Sequence, residues 1–254
     1  MNEPSWDESI KQAQVNMRPP VLKRFYKSAQ AGEADNGFVL LLDGRPIRTP
    51  AKAKLILPTR TIAEAMAQEW AAQGETIAPA TMPLTRLANS ALDGVARAMA
   101  ATVGEIAGFA GADLICYRAL EPEALAARQA AAFDPVLAFA QAALGARFRL
   151  AGGIMHVAQP EASLEAVRAA VETYGDPFAL TALHGLTSLS GSVLMALAVA
   201  RDAMTVEAAW AAAHVDEDFQ IEKWGADEEA MARRAARARE FAAAAFTLDA
   251  LRRP

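Results

Sequence analysis

The spacing of apolar residues changes near residue 82. Before it, short apolar runs alternate with turn residues; after it, apolar positions recur at helical intervals. Phe38-Val-Leu-Leu-Leu42 is an apolar run that ends at Asp43-Gly44. Asp-Gly between two such runs favours a tight hairpin, because both residues tolerate positive φ. Asp43 and Gly44 therefore mark a turn, and Ile47 opens the return strand. Pro46 and Pro50 keep that strand short or at an edge. Leu55-Ile-Leu57 reads as a further strand, stopped by Pro58. Lys23-Arg-Phe-Tyr-Lys27 is expected as an earlier strand, joined to Phe38 by a loop through Gly32 and Gly37. Together these runs predict a small antiparallel sheet.

Helix is expected after Pro58, capped by Thr59 or Thr61. Ile62, Met66 and Trp70 then share one face. Trp70 is expected to fasten this helix to the sheet rather than to anchor a partner. From Pro83 onward the pattern is almost wholly helical. Leu84, Leu87, Ala91, Val95 and Met99 form one stripe, and Pro122, Pro135 and Pro177 are breaks or helix starts. Ala124–Ala132 and Ala208–Ala213 have the highest helix propensity in the chain. Leu186–Ala200 reads as one buried helix, shorter than the ~20 residues that cross a bilayer and interrupted by Ser, Thr and Gly. Arg147–His156, with Gly152-Gly153, predicts a short β-ribbon or extended loop. The expected fold is α+β, with a β-rich N-terminal domain over 1–82 carrying one helix and a helical C-terminal domain over 83–254.

With 254 residues, 53% of them hydrophobic, the chain can bury a large core. Its net charge of −5 argues against general nucleic-acid binding, which needs cationic surface. The single cysteine, Cys116, cannot form an internal disulfide, and its apolar neighbours suggest a buried, inert thiol. The N-terminus, Met-Asn-Glu-Pro-Ser-Trp-Asp-Glu, is acidic where a secretory signal or transit peptide would be basic. A bacterial cytoplasmic location and no membrane insertion are expected.

Catalytic chemistry is hard to find. His156, His184 and His214 stand apart, without a second ligand at metal-binding spacing. No phosphate-cradling glycine loop is present, so neither metal nor cofactor is expected. Ser188–Ser192 invite a nucleophile reading, but Gly185-Leu-Thr-Ser-Leu lacks the second glycine of a nucleophile elbow. Those hydroxyls suit helix back-bonding better. Asp216-Glu217-Asp218 offers paired carboxylates, whereas Asp227-Glu228-Glu229 suits the start of a helix running to about Leu251. In that helix Met231, Ala235, Ala238, Ala242 and Ala245 form an apolar seam, with Phe241 and Phe246 beside it. Glu229, Arg233, Arg237 and Glu240 line a second row, which as a plain salt-bridge ladder stabilises little.

Several stretches, in order, resemble one family: the assembly chaperones of the F-type ATP synthase catalytic head, which bind its alpha subunit. They are Lys23–Lys27, Leu42-Asp-Gly-Arg-Pro-Ile-Arg-Thr-Pro-Ala51, Gln68-Glu-Trp-Ala-Ala-Gln73 and Thr81-Met-Pro-Leu-Thr85. Asp113-Leu-Ile-Cys-Tyr-Arg118, Phe133-Asp-Pro-Val136, Glu217-Asp-Phe-Gln220 and Trp224-Gly225 follow. Phe133 departs from the family's more usual Trp. The resemblance implies a non-enzymatic chaperone that covers the unassembled alpha subunit until it pairs with beta; a monomer is expected. It implies that an acidic residue of the last helix matters, here Glu240, with Arg233 and Arg237 beside it as candidate client contacts. Trp70, Asp43, Gly44, Gln220 and Trp224 are then expected to serve the scaffold. The competing readings are a hydrolase with a carboxylate-lined cleft between the domains and a helical adaptor for another protein.

Overall fold

The computed structural model describes residues 22–253 apart from Ile154. The acidic N-terminal stretch considered above lies outside the described residues. Four strands come first. β1 (Ala29–Ala34) and β2 (Gly37–Leu42) pair antiparallel through the turn at Asp35-Asn36, and β3 (Arg45–Pro46) and β4 (Ile56–Leu57) both pair with β2 on its other side. The hairpin at Asp43-Gly44 forms as expected, with φ of 48° and 78°. Asp43 also receives the N–H groups of Lys27 and Ser28 on its carboxylate, which hold its carboxyl below the usual range.

The first strand is not where the sequence put it. Lys23–Lys27 is not a strand; Lys23 makes only a bridge to Thr76. Arg24 instead donates to the carbonyls of Ala71, Gln73 and Tyr26, and Tyr26 turns into the core. This segment therefore follows the end of a helix. The true strand, Ala-Gln-Ala-Gly-Glu-Ala, has weak intrinsic β preference and is set by its pairing with β2.

Helix α1 (Arg60–Ala71) is capped by Thr59, whose hydroxyl accepts the Ile62 N–H. Ile62 and Met66 are buried against Leu40 and Leu42 of β2. Trp70 is half-buried. Its indole N–H donates to Thr85 at 3.0 Å, its ring lies 5.5 Å from that of Tyr26, and its carbonyl accepts the Tyr26 hydroxyl at 2.8 Å. It therefore fastens α1 to the following helix and to the N-terminal segment, rather than to a strand of the sheet.

That helix is α2 (Pro83–Asp93). The stripe expected from Leu84 to Met99 is divided at Gly94: a 3-10 turn follows, and then α3 (Met99–Gly108). Pro122 caps and Pro135 lies inside α4 (Glu123–Leu144) instead of ending it. Fully buried Phe133 and Val136 on either side hold the helix through the missing hydrogen bond. Of the two options for Arg147–His156 the extended loop forms: its β6 (Ala151–Gly152) is a two-residue strand that pairs parallel with distant β5 (Tyr117–Arg118), not a ribbon of its own. Helix α5 (Glu161–Glu172) follows.

Leu186–Ala200 is buried but is two helices. Gly191, at φ 73°, ends α6 (Pro177–Ser190), and α7 (Val193–Ala200) starts after Ser192. All eight residues of α7 are buried. Helices α8 (Val206–Ala213), α9 (Val215–Trp224) and α10 (Glu228–Arg252) complete the chain. The stretch Met99–Cys116 is apolar enough by composition to span a bilayer, yet it is α3 plus two 3-10 turns, with Ile106, Ala110 and Ile115 in the core.

The seam assigned to α10 is mostly on the wrong side. Met231, Ala235, Ala242 and Phe246 are exposed. The buried face is Phe241, Ala244, Ala245 and Leu248, packed on α6 and its neighbours. Near its C-terminal end this helix is enclosed over most of its circumference, so periodicity alone does not identify the buried face.

Two apolar cores result. One surrounds α6 and α7; the other lies between the sheet and α1 and takes in Ala88 and Ala91 of α2, Phe178 and Ala250. The first contains a fully buried carboxylate, Asp113. It accepts the N–H groups of Ile115 and Leu194, each at 3.2 Å, at the start of α7. Burial pushes its pKa up to about 6, against the hydrogen bonds from Ser192, Leu194, Ile115 and Val193. Neighbouring Cys116 is buried as expected, and burial, then the charge of Asp113, push its thiol up to about 12.

Two outcomes are expected. Trp70→Arg should lower stability by several kcal/mol, roughly 3 or more, seen as a lower melting temperature in circular dichroism; an unchanged melt contradicts the fastening role. Because the folded pKa of Asp113 is raised from 3.8 to about 6, the folded state holds an extra proton between these values. Its contribution is full below pH ~4 and lost by pH ~6, roughly 2–3 kcal/mol in all. Asp113→Asn should flatten that decline in urea unfolding measured across this window; parallel profiles for the two proteins contradict the assignment.

Candidate functional site

Helices α2, α3, α6 and α10 do not close on one another completely. Between them lies a groove of about 540 Å³. Leu87, Val95, Leu189 and Ala244 supply its apolar lining, and Arg86, Glu240, Glu105 and His184 its charged or titratable groups. Its two sides are joined by an ion pair between Arg86 on α2 and Glu240 on α10, 2.8 Å apart and with side chains 42% and 32% exposed. Glu240 was singled out in the sequence for its row on one helix. The structure gives it a partner from another helix and a place in a cleft.

The other two residues of that row divide. Arg237 donates to the carbonyl of Leu189 at 3.1 Å, close to the C-terminal end of α6, where a cation is favoured. It borders the groove. Among the described residues Arg233 pairs with Glu229 of its own helix alone, on exposed surface outside the groove lining. Gln220 and Trp224, expected in the scaffold, are both exposed, Trp224 to 86%. In their motif it is Phe219 that packs, beneath Arg128 and Lys223.

The remaining motifs meet in pairs. Glu69, from Gln68–Gln73, accepts the N–H groups of Leu84 and Thr85 at 2.7 and 2.9 Å and so caps α2, to which Thr81–Thr85 leads. Burial raises its pKa, and these bonds oppose the rise. Arg118 lies over the ring of Phe133 and pairs with Asp134 at 2.9 Å, joining two further motifs. Buried Gln129 accepts the Ala119 N–H and donates to Asp216 at 2.7 Å. Glu217 and Asp218 face Arg234. The acid cluster thus serves the packing of α9. Glu69 and Gln129 were missed as key residues. Both lie within helical segments, and only the distant backbone they satisfy reveals their role.

One arrangement beside the groove has the outline of a catalytic relay. Ser188 Oγ lies 3.3 Å from His184 Nδ1, and His184 Nε2 lies 3.6 Å from Glu105. The Ser188 hydroxyl, however, donates to the His184 carbonyl at 2.7 Å, as Thr187 and Ser190 do to carbonyls one turn back. A hydroxyl engaged in its own helix is a poor nucleophile. His214, by contrast, is buried on Trp210, its ring 3.9 Å away, and burial lowers its pKa. No cluster of metal-binding side chains occurs among the described residues.

A family profile described as ATP12 chaperone protein matches residues 23–141. The solved structure of Atu1473 from Agrobacterium tumefaciens is 46% identical, with a TM-score of 0.87, covering 98% of this chain and 92% of that one. Atp12 from Paracoccus denitrificans is 41% identical, with a TM-score of 0.82, over 91% of this chain and 98% of its own. The chain belongs to the ATP12 chaperone family. This is the family of ATP synthase assembly chaperones that the ordered motifs resembled. Within this chain Glu69, Arg118 and Phe133 make capping or packing contacts, whereas Glu240 lies on the surface of a groove.

Because both members of the Arg86–Glu240 pair are partly solvated, the pair contributes little to stability. Arg86→Ala and Glu240→Ala should each change unfolding free energy by about 1 kcal/mol or less. A loss several times larger in denaturant unfolding would make the pair a structural element.

Proposed function

We propose that the chain binds the unassembled alpha subunit of the ATP synthase catalytic head through the Glu240 groove and yields it to beta. The supporting observation is Glu240 itself: a half-exposed carboxylate, held by one arginine, beside apolar surface in an ATP12 family member. An unassembled subunit exposes an interface that aggregates unless covered. The apolar lining offers contact area. The Arg86–Glu240 pair offers charges that can exchange partners without leaving a buried ion behind. Arg237 of α10 stands beside the same rim, donating to the Leu189 carbonyl at the end of α6. Reversible covering of this kind needs no catalytic step and no cofactor. We place this action in the bacterial cytoplasm and assign it to the monomer.

The test is co-purification from native lysate. The tagged chain should recover alpha subunit without beta. Glu240→Lys should melt within a few degrees of the parent yet recover at least tenfold less alpha subunit. Full recovery by a folded Glu240→Lys protein contradicts the groove as the binding site. Recovery of beta alone contradicts the client.

A further inference from the structure

Residues 22–60 hold eight Lys and Arg against three Asp and Glu, in a chain whose net charge is −5. Two of those acids are engaged: Asp43 by the Lys27 and Ser28 backbone, and Glu33 by Arg60. Arg45, Arg48, Lys52 and Lys54 all lie around the β3–β4 excursion and are exposed. Among the described residues none of the four has a carboxylate at ion-pairing distance. Arg48 donates only to the Lys52 carbonyl, at 2.9 Å.

The charged groups of a groove of about 410 Å³ on the sheet are Arg48, Lys54 and Glu33, the last already paired with Arg60. Side chains alternate along β2, so Leu40 and Leu42 face α1 while Val39 and Leu41 face away from it. Val39, Leu41 and Ile56 line the groove. Gly32, paired with Val39, adds no side chain over them; a Cβ there would stand 2.7 Å from Leu41 Cδ1. The cationic side is held in place from below. Asp93 of α2 accepts the Thr49 hydroxyl at 2.6 Å and the Ala51 N–H at 3.0 Å.

We propose that this outer sheet face is a second docking surface, and that it takes an acidic polypeptide segment in extended form, with a few apolar residues flanked by Asp and Glu. The apolar floor matches the centre of such a segment, and the unpaired cations match its flanks. A nucleic acid fits less well, because no aromatic side chain lines the groove to stack a base. An anionic membrane fits less well, because Val39 is buried and Leu41 half-buried, so neither projects as an insertion residue does. The inference does not depend on which subunit occupies the Glu240 groove.

The test uses the full chain and a fluorescein-labelled peptide of three valines flanked on each side by two glutamates, with a lysine-flanked counterpart. Anisotropy should show salt-sensitive binding of the glutamate peptide and at least tenfold weaker binding of the lysine one. The double variant Arg48→Glu, Lys54→Glu should lose at least tenfold in affinity with an unchanged melting temperature. If it does not fold, Lys54→Gln should still weaken binding severalfold. Arg168→Glu, a charge reversal on exposed α5, should have no effect. Four results would overturn the proposal: full affinity in the folded variants, equal binding of both peptides, tighter binding to single-stranded DNA or phosphatidylserine vesicles, or self-association that these substitutions abolish.

Discussion

A helix buried on every side has no water with which to satisfy the free N–H groups at its start. Helix α7 is in that position, and the hydroxyl of Ser192 and the carboxylate of Asp113 meet the need. Much else follows from this arrangement. Asp113 ties the turn before β5 to the head of α7, and β5 then carries Arg118 across to Phe133 and Asp134 of α4. Placing a carboxylate there is costly, as its raised pKa shows. The alternative, orphaned amides in an apolar core, also carries a penalty of kcal/mol size. With α7 fixed, α6 is fixed through Gly191, and α10 packs on α6.

That packing leaves the groove open. α10 approaches α6 through small residues, Gly185 and Ala244, while α2 and α3 stand slightly apart. The gap is the groove, and Arg86 reaches across it to Glu240. The same helix α2 caps itself on Glu69 and holds the cationic loop of the sheet through Asp93. One short helix therefore connects both surfaces to the two cores. Two proposed docking surfaces joined by one rigid helix would each hold a segment without large internal motion, which would lower the ordering cost of binding.

Most of the fold class was legible in the sequence because its signals are local. Asp43-Gly44 dictates its turn through φ, and Thr59 and Asp227 cap helices through their own neighbouring amides. The failures also have local causes. Ala29–Ala34 has no β-branched residue, so its strand depends on β2. Pro135 is a helix breaker tolerated because buried Phe133 and Val136 outweigh one lost hydrogen bond. The exposed seam of α10 was mistaken for its buried face because alanines occur on every side. Glu240 was legible only through family resemblance, and no periodicity marks it out from the other charged residues of its helix.

The sequence by itself determined the Asp43-Gly44 turn, the caps at Thr59 and Asp227, the helical character after Pro83, the single buried thiol and the family to which the chain belongs. Each of these depends on residues adjacent in the chain or on an ordered set of short motifs. Only the tertiary structure decided which carboxylates serve packing and which face solvent. Glu69, Asp113 and Asp216 are claimed by groups at least fifteen residues away or on another helix. Glu240 is left in a cleft with one arginine. A carboxylate's role is set by the distant donors that surround it, and those are brought together only when helices from both halves of the chain pack.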